Sequence, residues 1–199
     1  MNSVKKHHSV LSWVLVFAVG FLSGVVFSAW KLESPQKAAG PPANDRREAS
    51  KAEVQRGIAE LERMVASNPE NLRAVIQLGN EYFDSGRYQK AVETYQKALG
   101  LDPRNADVLT DMGVGYRKLG RPKDAVEAFH RALESDPNHA VALFNLGIVY
   151  RDDLKNFPEA LKAWETFLEK APNAPHAVMV RPWVNQLREK LNPGSPERK

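Results

Sequence analysis

The pattern that decides the fold is a pair of matching stretches: "YFDSGRYQKAVETYQKALGLDP" from Tyr82 to Pro103 and "YRKLGRPKDAVEAFHRALESDP" from Tyr116 to Pro137. Aligned without gaps, the two stretches share Tyr, Gly-Arg, Ala-Val-Glu, an aromatic residue, Ala-Leu and Asp-Pro, always 34 residues apart. Self-similarity at a fixed period of this length indicates a chain built from repeated units that stack on one another.

Three copies of the pattern follow one another. In the first unit its slots hold Leu78, Gly79, Tyr82, Gly86, Ala91, Tyr95, Ala98 and Pro103. In the second they hold Met112, Gly113, Tyr116, Gly120, Ala125, Phe129, Ala132 and Pro137. In the third they hold Leu146, Gly147, Tyr150, Ala160, Trp164, Phe167 and Pro172. This spacing resembles the tetratricopeptide repeat family, with repeats over 72–105, 106–139 and 140–173. The resemblance implies an all-α solenoid of helix-turn-helix units that bury their apolar faces against their neighbours.

The glycines of the pattern have physical roles. Gly79, Gly113 and Gly147 are predicted to let the first helix of each unit lie close against the second helix. Gly86 and Gly120 are predicted to end the first helix in the left-handed conformation that glycine adopts without strain. Asn71 follows Pro69 and Asn105 follows Pro103, and each asparagine is predicted to cap the helix that begins after it.

The third unit departs from this pattern. The stretch "RDDLKNFPEA" has one extra residue in the turn between its helices and lacks the expected glycine. Phe167 stands where the first two units have a small alanine. We therefore expect a longer turn and bulkier packing against the following helix.

Segments on both sides of the repeats are predicted to cap the solenoid. Residues 45–70 align with a second helix alone and are predicted to cover the N-terminal end. Residues 174–191 are predicted to form the C-terminal capping helix, starting or kinking near Pro182. Residues 192–199 are predicted to be disordered. The apolar stripe of the C-terminal helix is Trp183, Leu187 and Leu191.

An uncharged stretch, "VLSWVLVFAVGFLSGVVFSAW", covers residues 10–30. As a helix it would span roughly 30 Å, the thickness of a bilayer core, which predicts a transmembrane helix between an N-terminal tail (1–9) and a flexible linker (31–44). The alternative is a cleaved signal peptide, for which Val26-Phe27-Ser28 offers small residues at plausible cleavage positions. Gly20 and Gly24 form a GxxxG pattern, which allows a homodimer through this helix.

The lysines on either side of residues 10–30 do not set the orientation of the predicted transmembrane helix. Two lysines precede it and two follow, so the count of positive charges is equal. The short tail favours an N-terminus in the cytoplasm. We therefore expect a single-pass protein of a bacterial inner membrane with its repeats in the periplasm.

Composition excludes several function classes. The chain has no cysteine, so disulfides and thiolate metal sites are absent. Its net charge of +4 is scattered, which does not indicate a nucleic-acid surface. No histidines and carboxylates stand at ligand spacing, and no catalytic constellation is present. We expect no enzyme activity, no metal and no cofactor.

In tetratricopeptide repeat proteins the first helices line a concave groove, so the resemblance places the candidate binding residues there. Eight of them form the predicted peptide-binding groove: Ile76, Asn80, Val114, Arg117, Phe144, Asn145, Ile148 and Arg151. The same register also places on this face Arg73, Gln77, Asp84, Thr110, Asp111, Lys118 and Asp152.

Each type of side chain in the groove suggests a role. Asn80 and Asn145 could bond a peptide backbone through both donor and acceptor. Arg117 and Arg151 occupy the same slot in successive repeats and could hold a carboxylate. The apolar strip between them consists of Ile76, Val114, Phe144 and Ile148.

Chaperone-binding members of the family hold a carboxylate with Lys, Asn and Arg side chains. Asn80 matches one position of that clamp, but Ile76 and Asp111 stand where Lys and Asn would be expected. The resemblance therefore does not predict that ligand for this chain.

These features predict a membrane-tethered scaffold or adaptor that binds a protein or peptide partner in its groove. The architecture resembles bacterial inner-membrane accessory proteins, one group of which assists cytochrome c maturation by holding apocytochrome for heme attachment. That role is one alternative. A structural subunit of an envelope complex, with a permanently occupied groove, is the other.

Overall fold

The computed structural model describes residues 43–192. The predictions for the tail, the transmembrane helix with its Gly20 and Gly24, most of the linker and nearly all of the C-terminal tail lie outside these residues. Within residues 43–192, no helix is both long enough and apolar enough to cross a membrane.

The described chain is all helical. Successive helices pack on one another as pairs, α2 on α3, α4 on α5 and α6 on α7, and each pair packs on the next. This arrangement is the predicted helix-turn-helix solenoid. The helices are α1 (Ala43–Ser67), α2 (Leu72–Asp84), α3 (Tyr88–Leu101), α4 (Ala106–Lys118), α5 (Pro122–Ser135), α6 (Ala140–Ile148), α7 (Phe157–Lys170) and α8 (Ala177–Leu191), with a π-helix (Val149–Asp153) between α6 and α7.

Side-chain caps begin the first helix of each unit. Asn71 accepts a hydrogen bond from the Ala74 N–H, and Asn105 accepts one from the Val108 N–H, each at 3.1 Å. In the third unit His139 takes this place. Its Nδ1 accepts a hydrogen bond from the Ala142 N–H at 3.2 Å.

The small residues of the pattern sit where the two helices of a unit touch. A Cβ added to Gly79 would lie 2.5 Å from the Tyr95 ring, and one added to Gly113 would lie 2.6 Å from the Phe129 ring. The corresponding Cβ on Gly147 would also clash with its partner ring. Real Cβ atoms do not approach this closely, so the first helices can reach their partners only with glycine at these positions.

The turn of the third unit is not longer, so that prediction was wrong: residues 154–156 connect its helices, as residues 85–87 and 119–121 do in the first two units. Gly86 and Gly120 adopt φ angles of 76° and 70°, and Lys155 takes the same left-handed place with φ of 56°. The extra residue is absorbed by the π-helix, which ends with a hydrogen bond from the Leu154 N–H to the Val149 carbonyl at 3.0 Å.

The two ends of the solenoid are covered by α1 and α8. On α1, Ile58 and Leu61 are buried in the core, whereas Met64 is exposed. The α8 helix begins five residues before Pro182 and includes it, so the helix does not start at this proline, and a kink there stays a prediction. Its buried stripe is Ala177, Val180, Val184 and Leu187.

Candidate functional site

The predicted groove residues lie on the first helix of each unit or directly after it. Asn80 is exposed, and the other seven are half-buried. Thr110, which the register placed on the same face, is instead buried, and its hydroxyl donates to the Ala106 carbonyl at 2.7 Å.

Two adjoining pockets open along α2 and α4, and together we call them the α2–α4 groove. The first pocket, of about 390 Å³, is lined by Leu72, Arg73, Ile76, Gln77 and Asn80. The second, of about 290 Å³, is lined by Asn80, Phe83, Asp84, Tyr95, Asp111 and Val114. Asn80 belongs to both pockets. The groove therefore has an apolar end near Ile76 and a polar end between the first two repeats.

Asn80 is oriented by a residue of the core. The hydroxyl of Tyr95, whose side chain is 1% exposed, donates to Asn80 Oδ1 at 2.8 Å. Burial and the nearby carboxylates of Asp111 and Asp84 raise the pKa of Tyr95, so this hydroxyl keeps its proton. The Asn80 amide nitrogen makes no hydrogen bond within residues 43–192 and remains a donor for a ligand.

The polar end of the groove carries negative charge. Burial raises the pKa of Asp111 to about 6, and the neighbouring carboxylates of Asp107 and Asp84 add to the effect against the opposing influence of His139. Neither Asp84 nor Asp111 forms an ion pair in the part of the chain that the structure describes. The sequence placed both residues on this face, but only the structure shows that they share one pocket.

The arginines of the predicted groove are held by the chain itself. Arg117 Nε donates to Asp153 Oδ2 at 2.5 Å. Arg151 donates to both oxygens of Asp152 at 2.6 and 3.0 Å, which lowers the pKa of that carboxyl. Each arginine thus already holds a carboxylate of the chain, which leaves it fewer N–H donors for a carboxylate of a ligand.

The third repeat is closed by α8. The Arg151 guanidinium lies 4.3 Å from the ring centre of Trp183 and 4.8 Å from that of Trp164. Phe144 stacks against His176 at 4.2 Å and against Trp183 at 6.4 Å. These residues therefore join the third repeat to its capping helix.

Asn145 is also engaged within its own helix. Its Nδ2 donates to the Val141 carbonyl at 2.9 Å, one turn earlier in α6. Ile148 packs against the same cluster of buried residues as Phe144. The predicted groove side chains of the third repeat thus make contacts within the chain itself, whereas Ile76, Asn80 and Val114 line open pockets.

Comparison with protein families agrees with this architecture. Two family models match, one described as a TPR repeat over residues 79–120 and one as a tetratricopeptide repeat over residues 110–175. Residues 79–175 therefore consist of tetratricopeptide (TPR) repeats. No protein of curated function matches it.

Solved TPR structures share the fold. The crystal structure of MamA is 23% identical, covers 73% of this chain and 83% of its own, and has a TM-score of 0.63. The first TPR of Spaghetti bound to an HSP90 peptide is 25% identical, with coverage of 60% and 92% and a TM-score of 0.54. The Yersinia enterocolitica secretion chaperone SycD, in complex with a peptide of the translocator YopD, is 17% identical, with coverage of 60% and 94% and a TM-score of 0.57.

Proposed function

We propose that this protein is a scaffold that binds an extended segment of a partner protein in the α2–α4 groove and performs no chemistry on it. The observation that carries the proposal is the contrast between the two halves of the predicted site. Ile76, Asn80 and Val114 line open pockets, whereas Phe144 and Arg151 are engaged by α8 and by the chain's own carboxylates.

The groove offers the two kinds of contact that an extended peptide needs. The Asn80 amide, fixed by Tyr95, presents N–H donors that a backbone carbonyl can accept. Ile76 and Val114 supply apolar surface on either side of it, where aliphatic side chains of the peptide would be removed from water. Spaghetti and SycD, two structures of similar fold, were each solved with a peptide bound.

The proposal also places the scaffold at a membrane. Residues 10–30 are uncharged and long enough to cross a bilayer as a helix, with the repeats on the periplasmic side. A reporter enzyme fused after Lys199 tests this arrangement. Activity of a reporter that works only outside the cytoplasm supports it, and activity of a reporter that works only in the cytoplasm contradicts it.

Site-specific photocrosslinking in cells tests the binding proposal. A photoreactive amino acid replaces Gln77, which is exposed in the groove, and in a second strain it replaces Glu127, which is exposed on α5. We expect adducts with one partner from position 77 and none from position 127. Adducts from position 127 alone would overturn the proposal.

Mass spectrometry of the adduct separates the two alternatives. An apocytochrome would identify a role in cytochrome c maturation. A single stoichiometric adduct with another envelope protein in all growth conditions would identify a structural subunit.

A further inference from the structure

The polar end of the α2–α4 groove combines a cavity, apolar walls and unpaired carboxylates. Phe83 and Val114 form apolar walls, and Asp84 and Asp111 are the charged residues of the lining. At about 290 Å³ the pocket has room for roughly ten water molecules, enough for a long flexible side chain.

No cation of the described chain neutralises these carboxylates. The group that most favours the ionised form of Asp111 is His139, and its Nε2 is already bonded to Asp107 at 3.0 Å. Lys118 lies two turns further along α4 and does not line the pocket. Arg73 lines the other pocket, three turns before Asp84 on α2.

The rest of this face shows the opposite arrangement. Arg117 is paired with Asp153, and Arg151 is paired with Asp152. On this side of the solenoid the arginines of the second and third repeats are therefore paired with aspartates of the third repeat, whereas the carboxylates between the first two repeats have no such partner among residues 43–192.

We propose that this pocket receives a lysine or arginine side chain of the bound segment, next to an aliphatic residue held at the Ile76 end of the groove. The proposal rests on the proposed function and specifies the chemistry of its ligand. The methylenes of the cationic side chain pack against Phe83 and Val114, and its charged end reaches Asp84 and Asp111. This preference is opposite in charge to that of a carboxylate clamp.

Binding of a cation should depend on pH. Asp111 loses its charge on protonation, and its pKa of about 6 lies well above that of an ordinary aspartate. The groups that face it are Asp84, Asp107, His139 and the Tyr95 hydroxyl. Binding of the cation should therefore weaken as pH falls from 7 to 5.

Four matched peptides test the proposal with the full-length protein in a non-ionic detergent. Each is a fluorescent decapeptide of alanine, leucine and serine with lysine, arginine, norleucine or glutamate at its centre. At 0.15 M salt we expect the lysine and arginine peptides to bind about tenfold more tightly than the norleucine peptide, and the glutamate peptide to bind most weakly. This advantage should shrink at pH 5.

Two variants show whether the preference belongs to this pocket. Asp111→Asn should remove most of the advantage that the lysine peptide has over the norleucine peptide. Glu127→Gln, which removes an exposed charge on α5, should leave the preference intact. A melting curve of Asp111→Asn confirms that the variant is folded.

The outcomes separate this inference from the proposed function. Equal binding of the lysine and norleucine peptides, or equal losses in Asp111→Asn and Glu127→Gln, would overturn the inference while leaving groove binding in place. Failure of all four peptides to bind would also overturn it, and the crosslinks from position 77 would then decide the proposed function separately.

Discussion

The hydroxyl of Tyr95 reaches from the core of the first repeat to the groove and donates to Asn80 Oδ1 at 2.8 Å. One buried side chain therefore both packs the helix pair and fixes the direction of the amide that faces a ligand. The slot of Tyr95 is filled by Phe129 in the next repeat, so the ring alone is sufficient for packing.

Tyr95→Phe should therefore affect binding more than folding. The loss of one hydrogen bond is expected to cost about 1 kcal/mol of stability. Without that bond the Asn80 amide can rotate, and affinity for a partner segment should fall about three- to tenfold. Tyr116→Phe is the matched control, because it removes a hydroxyl that accepts from Gln96 at 3.0 Å outside the α2–α4 groove. Equal losses of affinity in the two variants would contradict this role of Tyr95.

The left-handed lysine in the turn of the third repeat is a strained position. Lys155→Gly should stabilise the protein by about 0.5–1 kcal/mol, because glycine adopts a positive φ without the steric cost that other residues meet. Gly120→Ala, at the corresponding turn of the second repeat, should destabilise by about 1 kcal/mol. Urea unfolding measures both changes. A Lys155→Gly variant less stable than the parent would show that the lysine side chain makes a stabilising contact there.

The contact between Gly113 and Phe129 predicts a large effect from a single methyl group. Alanine at position 113 would place its Cβ 2.6 Å from the Phe129 ring, so we expect a loss of about 1–3 kcal/mol. The same change at Gly100, which is helical but has open space around it, should be neutral or stabilising by up to about 1 kcal/mol. Chemical denaturation of the two variants distinguishes packing from helix propensity. Similar results for the two variants would mean that α4 and α5 are not in this register.

Local patterns in the sequence were sufficient to predict the helix pairs. The glycines at helix contacts, the left-handed turns at Gly86 and Gly120 and the asparagine caps each depend on a few neighbouring residues, and all three are present. Their repetition at a fixed period then determined how the pairs stack.

Long-range contacts of the third repeat could not be predicted in this way. The predicted roles of Arg117 and Arg151 did not include Asp153 and Asp152, which lie in the π-helix that the sequence did not predict. Trp183 belongs to a helix that continues through Pro182, whereas the sequence left open whether the helix starts or kinks near this proline. The structure thus shows that side chains of the third repeat pack against α8.

The unpaired carboxylate of Asp111 should make stability depend on pH. Its pKa of about 6 in the folded chain is higher than that of an unfolded aspartate, so the folded state binds the proton more tightly. The contribution of this group is therefore most favourable below about pH 4 and is lost as pH rises through 6. Asp111→Asn should be more stable than the parent by about 1 kcal/mol at pH 7 and of equal stability at pH 4. Thermal melts at the two pH values measure this, and a variant less stable at pH 7 would show that the carboxylate has a stabilising partner.

The central claim is that partners bind in the α2–α4 groove. It is tested most directly by titrating the crosslinked partner segment against two double variants of the full-length protein. Ile76→Ala with Asn80→Ala removes from the groove an apolar side chain and a side-chain amide that can donate to the backbone of the bound segment. Lys123→Ala with Glu127→Ala changes only exposed residues of α5. We predict that the groove variant loses at least tenfold in affinity, about 1.4 kcal/mol or more, while the α5 variant binds like the parent. A loss of affinity in the α5 variant with unchanged binding by the groove variant would contradict the account and place the site on the opposite face.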